Sequence, residues 1–398
     1  MRSLPLTAWA VAALFTSGLD ASGLDAQSAL SPKEVQDGWL SLFDGETLYG
    51  WTPEGPAEWK VANGAIVCEA AEGGWLRSNM PFADYVLRLE YRQAADGNSG
   101  VFLRAAASGQ PHVTGYELQI FDGHPQFPTG SLVNHLAVKK PLRPAPGRWH
   151  VYEVTHVGEA FTVKLDGKKV LAGRDSKSRA GYFGLQHNPG KKIEFRQIAV
   201  KPLGLTPIFN GRNLNGWQPV ERPNAKETPV WSVAGNAIHV EKGPGQLETE
   251  NQWANFILQA EIRTNSPDPK LHPNSGIFFR GSPGVSWSGY EAQIRNEFQN
   301  GDPSQVVDFG TGGIYRCVAA RKIVAKDNEF FAMTVLAVGR DIATWVNGYL
   351  VASWSDPNPE GSDVRKKEAV LKPGVLSLEA SDPTTNLDFR HLRLARLD

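Results

Sequence analysis

The chain is short of cysteine, of surplus charge and of long apolar runs, and each shortage removes a class of protein. Two thiols, Cys68 and Cys317, in 398 residues cannot form a disulfide scaffold or, by themselves, a zinc site. They read as isolated strand cysteines rather than as a bridge between distant segments. The 41 basic residues are matched by 42 acidic ones, so nothing draws in phosphate backbones or anionic lipid and nucleic acid is not an expected partner. Beyond the N-terminus no segment approaches the roughly 18 uninterrupted apolar residues that a membrane span requires. Helical periodicity is missing as well, which leaves strands to make the core.

What is present fits that reading. Forty Gly, 27 Pro and 12 Trp among many short alternating runs describe an all-β chain of strands and tight turns. Arg2, the apolar run Leu4 to Phe15 and the small residues Ala21, Ser22, Gly23 and Ala26 read as a secretory signal peptide over residues 1–26, so the mature protein is expected to be exported to the periplasm or medium.

The sequence then repeats itself. LFDGETLYGW (42–51) matches IFNGRNLNGW (208–217), EWKVANGAIVCE (58–69) matches VWSVAGNAIHVE (230–241), and FADYVLRLEYR (82–92) matches WANFILQAEIR (253–263). NSGVFLR (98–104) with GYELQIFD (115–122) returns as NSGIFFR (274–280) with GYEAQIRN (289–296), and IEFRQIAVKPL (193–203) as LDFRHLRLARL (387–397). The spacing far exceeds the roughly 20 to 50 residues of solenoid and propeller units, so whole domains are duplicated. KPLGLT (201–206) supplies the boundary, which places one domain at 36–203 and its copy at 206–398. Period-two alternation within each copy fits a sandwich of two antiparallel sheets. Asp166-Gly167 and Asn347-Gly348 are expected to be hairpin turns.

In GYELQIFD, alternation sends Tyr116, Leu118 and Ile120 to the core and Glu117, Gln119 and Phe121 to the opposite face. Glu291 and Gln293 repeat this beside Tyr290, Ala292 and Ile294. The same parity places Arg104 with Phe102 and Arg280 with Phe278. A sheet face bearing Glu, Gln and Arg offers the paired hydrogen bonds that sugars take up; it reads equally as a solvated cross-strand ion pair worth under about 1 kcal/mol. Trp51, Trp59, Trp217 and Trp231 recur in both copies and are assigned to the core. Trp75 and Trp287 have no repeat partner and are candidates for stacking on a sugar ring.

Taken in order, F-(D/N)-G-x-x-L-x-G-W (Phe43 to Trp51; Phe209 to Trp217), N-S-G-hydrophobic-x-x-R, G-Y-E-x-Q-I, T-G-x-hydrophobic (Thr129 to Leu132; Thr311 to Ile314) and a closing F-R resemble the 3-keto-disaccharide hydrolase domain family. The resemblance covers nearly all of both copies and implies a concanavalin A-like jelly-roll fold. Copy one keeps Asp122, His124-Pro125 and GLQH; copy two has Asn296 and LSLEA there, and Tyr315 where copy one has Val133.

The chemistry the resemblance implies is cleavage of a sugar oxidised at C3, by hydrolysis or by C2-proton abstraction and β-elimination. It needs a base, an enolate stabiliser and an acid. Glu117 or Asp122 is the expected base, Arg104 the enolate partner, and His124 the acid or a metal ligand. Asn98, Gln119 and Trp75 in copy one, with Arg280, Glu291, Gln293, Trp287 and Tyr315 in copy two, form the expected sugar-binding set. These motifs fix no cofactor and leave room for a divalent metal, which would need a third ligand such as His135 or Glu117 beside Asp122 and His124. The alternative of another class is a lectin-like protein that holds glycan without cleaving it, since one sandwich serves both.

Overall fold

The computed structural model describes residues 30–397; the expected leader, residues 1–26, lies outside them. Strands up to Ile193–Pro202 form one pair of sheets, and strands from Thr206–Pro207 onward form a second pair. Each pair consists of an eight-stranded and a five-stranded sheet. The chain is therefore two jelly-roll β-sandwiches in tandem. In copy one the five-stranded sheet runs in the spatial order Trp51–Glu54, Gly74–Phe82, Gly181–His187, Ser99–Ala105, Tyr116–Ile120. In copy two the same order is Trp217–Glu221, Gly245–Trp253, Gly374–Ala380, Ser275–Gly281, Tyr290–Ile294.

Alternation explains why these segments are strands. In Tyr85–Gln93 the residues Tyr85, Leu87, Leu89 and Tyr91 are buried while their neighbours are half-buried, and the inner faces of both sheets close on Leu76, Val101, Leu103, Tyr116, Leu118, Tyr152 and Val154. Each such aliphatic or aromatic side chain contributes about 1.5–3 kcal/mol on burial. The hairpins turn at Asp166-Gly167 and Asn347-Gly348, with φ of 49° and 75° in both, the left-handed conformation that Asp or Asn followed by Gly tolerates best. Cys68 and Cys317 are unbonded, one in each copy.

The two sandwiches are packed against each other. Trp345 of copy two is fully buried, with its ring 6.4 Å from that of Phe82, and its Nε1 donates to the Ser41 carbonyl at 2.9 Å. Arg321 pairs with Asp44 at 2.8 Å, and the Tyr182 hydroxyl donates to Asp341 at 2.5 Å. Among the described residues no helix is long and apolar enough to cross a membrane.

Candidate functional site

The outer face of each five-stranded sheet carries the polar residues that the core does not use. In copy one, cross-strand partners on that face run Thr52, Arg77, Gly184, Phe102 and Glu117. The neighbouring row begins with Glu54 and Trp75, passes Gln186 and Gly100, and ends at Gln119. Glu117 is half-buried and hydrogen-bonded to the Gln186 side chain. Burial pushes its carboxyl above the usual range, opposed by Gln186 and by the nearby His112 and His124. A carboxyl raised by burial is a stronger base than an exposed one, which suits proton abstraction.

The repeated N-S-G phrase makes this contact. Glu117 and Gln186 stand on strands that flank Ser99–Ala105, so the Glu117 side chain must cross the strand between them. It crosses over Gly100, where a Cβ would lie 3.1 Å from Glu117 Cγ and 3.2 Å from Oε1. The adjacent Ser99 fixes the far strand by donating to the Gln186 carbonyl at 2.7 Å. Copy two reproduces the arrangement: a Cβ on Gly276 would lie 2.6 Å from Glu291 Oε1, and Ser275 donates to the Glu379 carbonyl at 2.7 Å. The T-G-x-hydrophobic segments zip onto the outer edge of each Glu strand. Val133 N donates to the Glu117 carbonyl at 3.0 Å, and Tyr315 N to that of Glu291 at 2.9 Å.

The partner across that glycine differs between the copies. Where copy one has Gln186, copy two has Glu379, so two carboxyls, Glu291 and Glu379, hydrogen-bond to each other at 8% and 5% exposure. Burial, and then the repulsion of neighbouring carboxylates, pushes both above the usual range, Glu379 to about 8. Two carboxyls this close cannot both ionise at neutral pH, so the pair holds at least one proton. Gln246 faces Glu379 on the adjacent strand; it is 2% exposed, its Oε1 accepts the Trp287 amide at 2.9 Å, and its Nε2 has no partner. Glu248 accepts from Gln218 Nε2 at 2.7 Å and from Gly284 N at 3.1 Å.

Several expected site residues stand elsewhere. Arg104 is fully buried and does not share the face of Phe102: its φ of 50° lies in a bulge where the register with Gly181–His187 slips, and the extra residue turns the side chain inward. There Nε donates to the Ala83 carbonyl at 2.8 Å, and Nη1 to those of Gly158 and Ser178 at 2.7 and 2.9 Å. Arg280 repeats this at φ 55°, on Ala254, Gly339 and Val370. Both arginines clamp loops, and neither stands where an enolate or a sugar on the outer face would lie.

Asp122 lies past the strand end at Ile120, exposed in a turn. His124 is half-buried and accepts the amides of Gln126 and Phe127 on Nδ1 at 3.2 and 2.9 Å, which leaves its proton on Nε2. His135 pairs with Asp175 at 2.9 Å and lies edge-on to Tyr116, whose side chain leaves its strand opposite to Glu117. Among the described residues no three His, Cys, Asp or Glu side chains converge as metal ligands.

Trp75 lies along the floor of the copy-one face, edge-on to Phe102 at 5.6 Å and flat enough on the sheet that a Cβ at Gly184 would meet it at 2.3 Å. Gln119 is buried on the Glu117 face with its Oε1 unpartnered, and Gln293 donates to Asp308 at 3.1 Å. Asn98 is exposed just before its strand. Trp287 packs under Arg222 at 3.9 Å, while Tyr315 lies edge-on to Phe309 at 5.2 Å. Trp51, Trp59 and Trp217 are buried as expected for core; Trp231 is half-buried. A cavity of about 450 Å³ opens at the linker between Thr206, Asn215, Thr249 and Arg396, and none of these carboxyls lines it.

Gln186, Glu379 and Gln246 were missed by motif reading. Aligning GYFGLQH (181–187) with GVLSLEA (374–380) position by position sets Glu379 on Gln186, and that signal was available.

Comparison with known proteins places the chain. The model of the 3-keto-alpha-glucoside-1,2-lyase-like domain matches residues 38–201 and again 204–395. A 3-keto-disaccharide hydrolase of Bacteroides thetaiotaomicron is 30% identical over 107 residues, 24% of this chain and 36% of that protein, so the match spans about a third of the relative's length. Among solved structures, a Parabacteroides distasonis protein provisionally assigned as a glycosyl hydrolase aligns over 44% of this chain and 99% of its own, with 19% identity and a TM-score of 0.40. The carbohydrate-binding module CBM66 of Bacillus subtilis aligns over 38% of this chain and 95% of its own, with 17% identity and a TM-score of 0.32.

Proposed function

We propose that this chain, which belongs to the 3-keto-alpha-glucoside-1,2-lyase-like family along both copies, is an exported enzyme that cleaves 3-keto-glycosides on the outer face of copy one. The observation that carries the reading is Glu117, a half-buried carboxyl held across Gly100 against Gln186 and raised above its usual range by burial. A C3 ketone acidifies the C2 proton because the carbanion delocalises onto the carbonyl oxygen. Glu117 takes that proton. The electron pair moves to the C3 oxygen, where the Nε2–H of neutral His124 is the available donor, the role a neutral imidazole fills in polarising carbonyls. Collapse of the enolate forms the C1=C2 bond and breaks C1–O. The leaving oxygen takes up the proton that Glu117 holds, so charge and protons balance. Addition of water at C1 then gives net hydrolysis.

Trp75 and Phe102 supply the apolar floor on which a sugar ring packs, and Gln119 and Gln186 supply amides for its hydroxyls. The test is Glu117→Gln, which keeps shape and most hydrogen bonding but removes the base. Aglycone release from a 3-keto-glucoside should fall about 100-fold or more while glycan binding and melting temperature persist. Unchanged release would move the base elsewhere. A wild-type protein that binds glycan without releasing aglycone would make the chain a lectin-like module.

A further inference from the structure

Copy two departs from copy one at the residue its glutamate reaches across the glycine. Glu291 leans over Gly276, and the side chain it meets is a second carboxyl, Glu379, where copy one offers an amide. Both lie on the outer sheet face, Glu379 in the row of Gln246 and Glu291 in the neighbouring row with Phe278, Ser377 and Glu248. Gln246 is 2% exposed with Nε2 unpartnered, and Asn274 has a buried Oδ1 without a partner. A buried donor and a buried acceptor left unpaired beside the dyad cost free energy unless a polar ligand takes them up. A hydroxyl-rich ligand supplies both functions.

We propose that copy two holds a second acid–base centre, the Glu291–Glu379 pair, which acts on the same class of 3-keto-glycosides with one carboxyl as base and the other as acid. The proposal rests on the reading given for copy one. Glu379 as carboxylate accepts the C2 proton, and the electron pair passes through the C3 enolate into C1=C2. The C1–O bond breaks, and Glu291 as carboxylic acid gives its proton to the leaving oxygen. The pair ends with one proton, now on Glu379, and resets by transfer across its own hydrogen bond. Copy one, with Gln186 in that position, must use a single carboxyl for both transfers.

The experiment measures aglycone release from a 3-keto-glucoside by the full chain as wild type, Glu117→Gln, Glu117→Gln with Glu379→Gln, and Glu117→Gln with both Glu291→Gln and Glu379→Gln. Glu379→Gln recreates the Glu–amide pair of copy one, so folding is expected to be retained. With Glu117→Gln a residual rate should remain. Adding Glu291→Gln and Glu379→Gln together should cut that residual rate about 100-fold or more, whereas Glu379→Gln alone leaves Glu291 beside an amide, as Glu117 is in copy one. Infrared spectroscopy at pH 7 should show a protonated carboxyl band that is lost when Glu291→Gln and Glu379→Gln are combined. If Glu117→Gln alone abolishes turnover that the wild type performs, the second centre is overturned while the copy-one reading stands. If the wild type releases no aglycone, the shared reading fails. Absence of the infrared band would refute the shared proton itself.

Discussion

Glu291 and Glu379 hydrogen-bond to each other although a whole strand separates theirs, because the residue between them is Gly276. The contact ties stability to pH. The Glu379 carboxyl is raised from 4.5 to about 8, by burial and then by the charge of Asp382. A group raised in the folded state contributes stability below its unfolded value that is lost as pH climbs through the folded one. Wild-type stability should therefore decline between about pH 4.5 and 8. Glu379→Gln should flatten that decline and stabilise the protein at pH 9 by about 2–4 kcal/mol. Urea midpoints at pH 5 and pH 9 check this; parallel pH profiles for both proteins would refute the shared proton.

Gly276→Ala should cost more than Gly100→Ala. The added Cβ would stand 2.6 Å from Glu291 Oε1 in copy two, against 3.1 Å from the nearest Glu117 atom in copy one. Neither glycine has a left-handed φ, so the cost is steric. It should amount to about 1–3 kcal/mol at Gly276 and less at Gly100, by denaturant titration. Equal costs would mean that the carboxyl pair is not held where it is described.

Arg104→Ala and Arg280→Ala should both destabilise by about 3 kcal/mol or more, since each leaves several buried carbonyls without a donor. Lysine should rescue neither, because its ammonium lacks the planar fork that spans three segments. Thermal melts decide the matter. A variant that melts like the wild type but has lost turnover would return Arg104 to the reaction.

The alternation of Tyr116, Leu118 and Ile120 announced their burial, and the duplicated phrases announced two sandwiches; both are local or self-similar signals. Arg104 was misplaced because strand parity assumes an unbroken ladder, and one bulge residue at φ 50° reverses the face. Glu379 was hidden for another reason. Aligning LSLEA on GLQH sets Glu379 on Gln186 but not against Glu291, because the reach of Glu291 across Gly276 is a contact between residues over 80 positions apart. His124 was legible as a candidate, but the inward turn of its Nδ1 depends on two amides that sequence does not place.

Asp122→Asn should leave aglycone release within about twofold, because Asp122 stands exposed in a turn beyond the strand end, off the sheet face that carries Glu117. Steady-state rates with a 3-keto-glucoside check it. A loss matching that of Glu117→Gln would make Asp122 the base.

The central claim is that a C3 ketone licenses cleavage by carboxyls on the outer sheet face. The most direct measurement sets purified full-length protein against a 3-keto-glucoside and the corresponding ordinary glucoside under identical conditions, with aglycone release as the readout. Release from the keto substrate alone is the expected result. Comparable release from both would contradict the account, since direct glycoside hydrolysis needs no acidic C2 proton and calls instead for two carboxylates flanking the scissile bond.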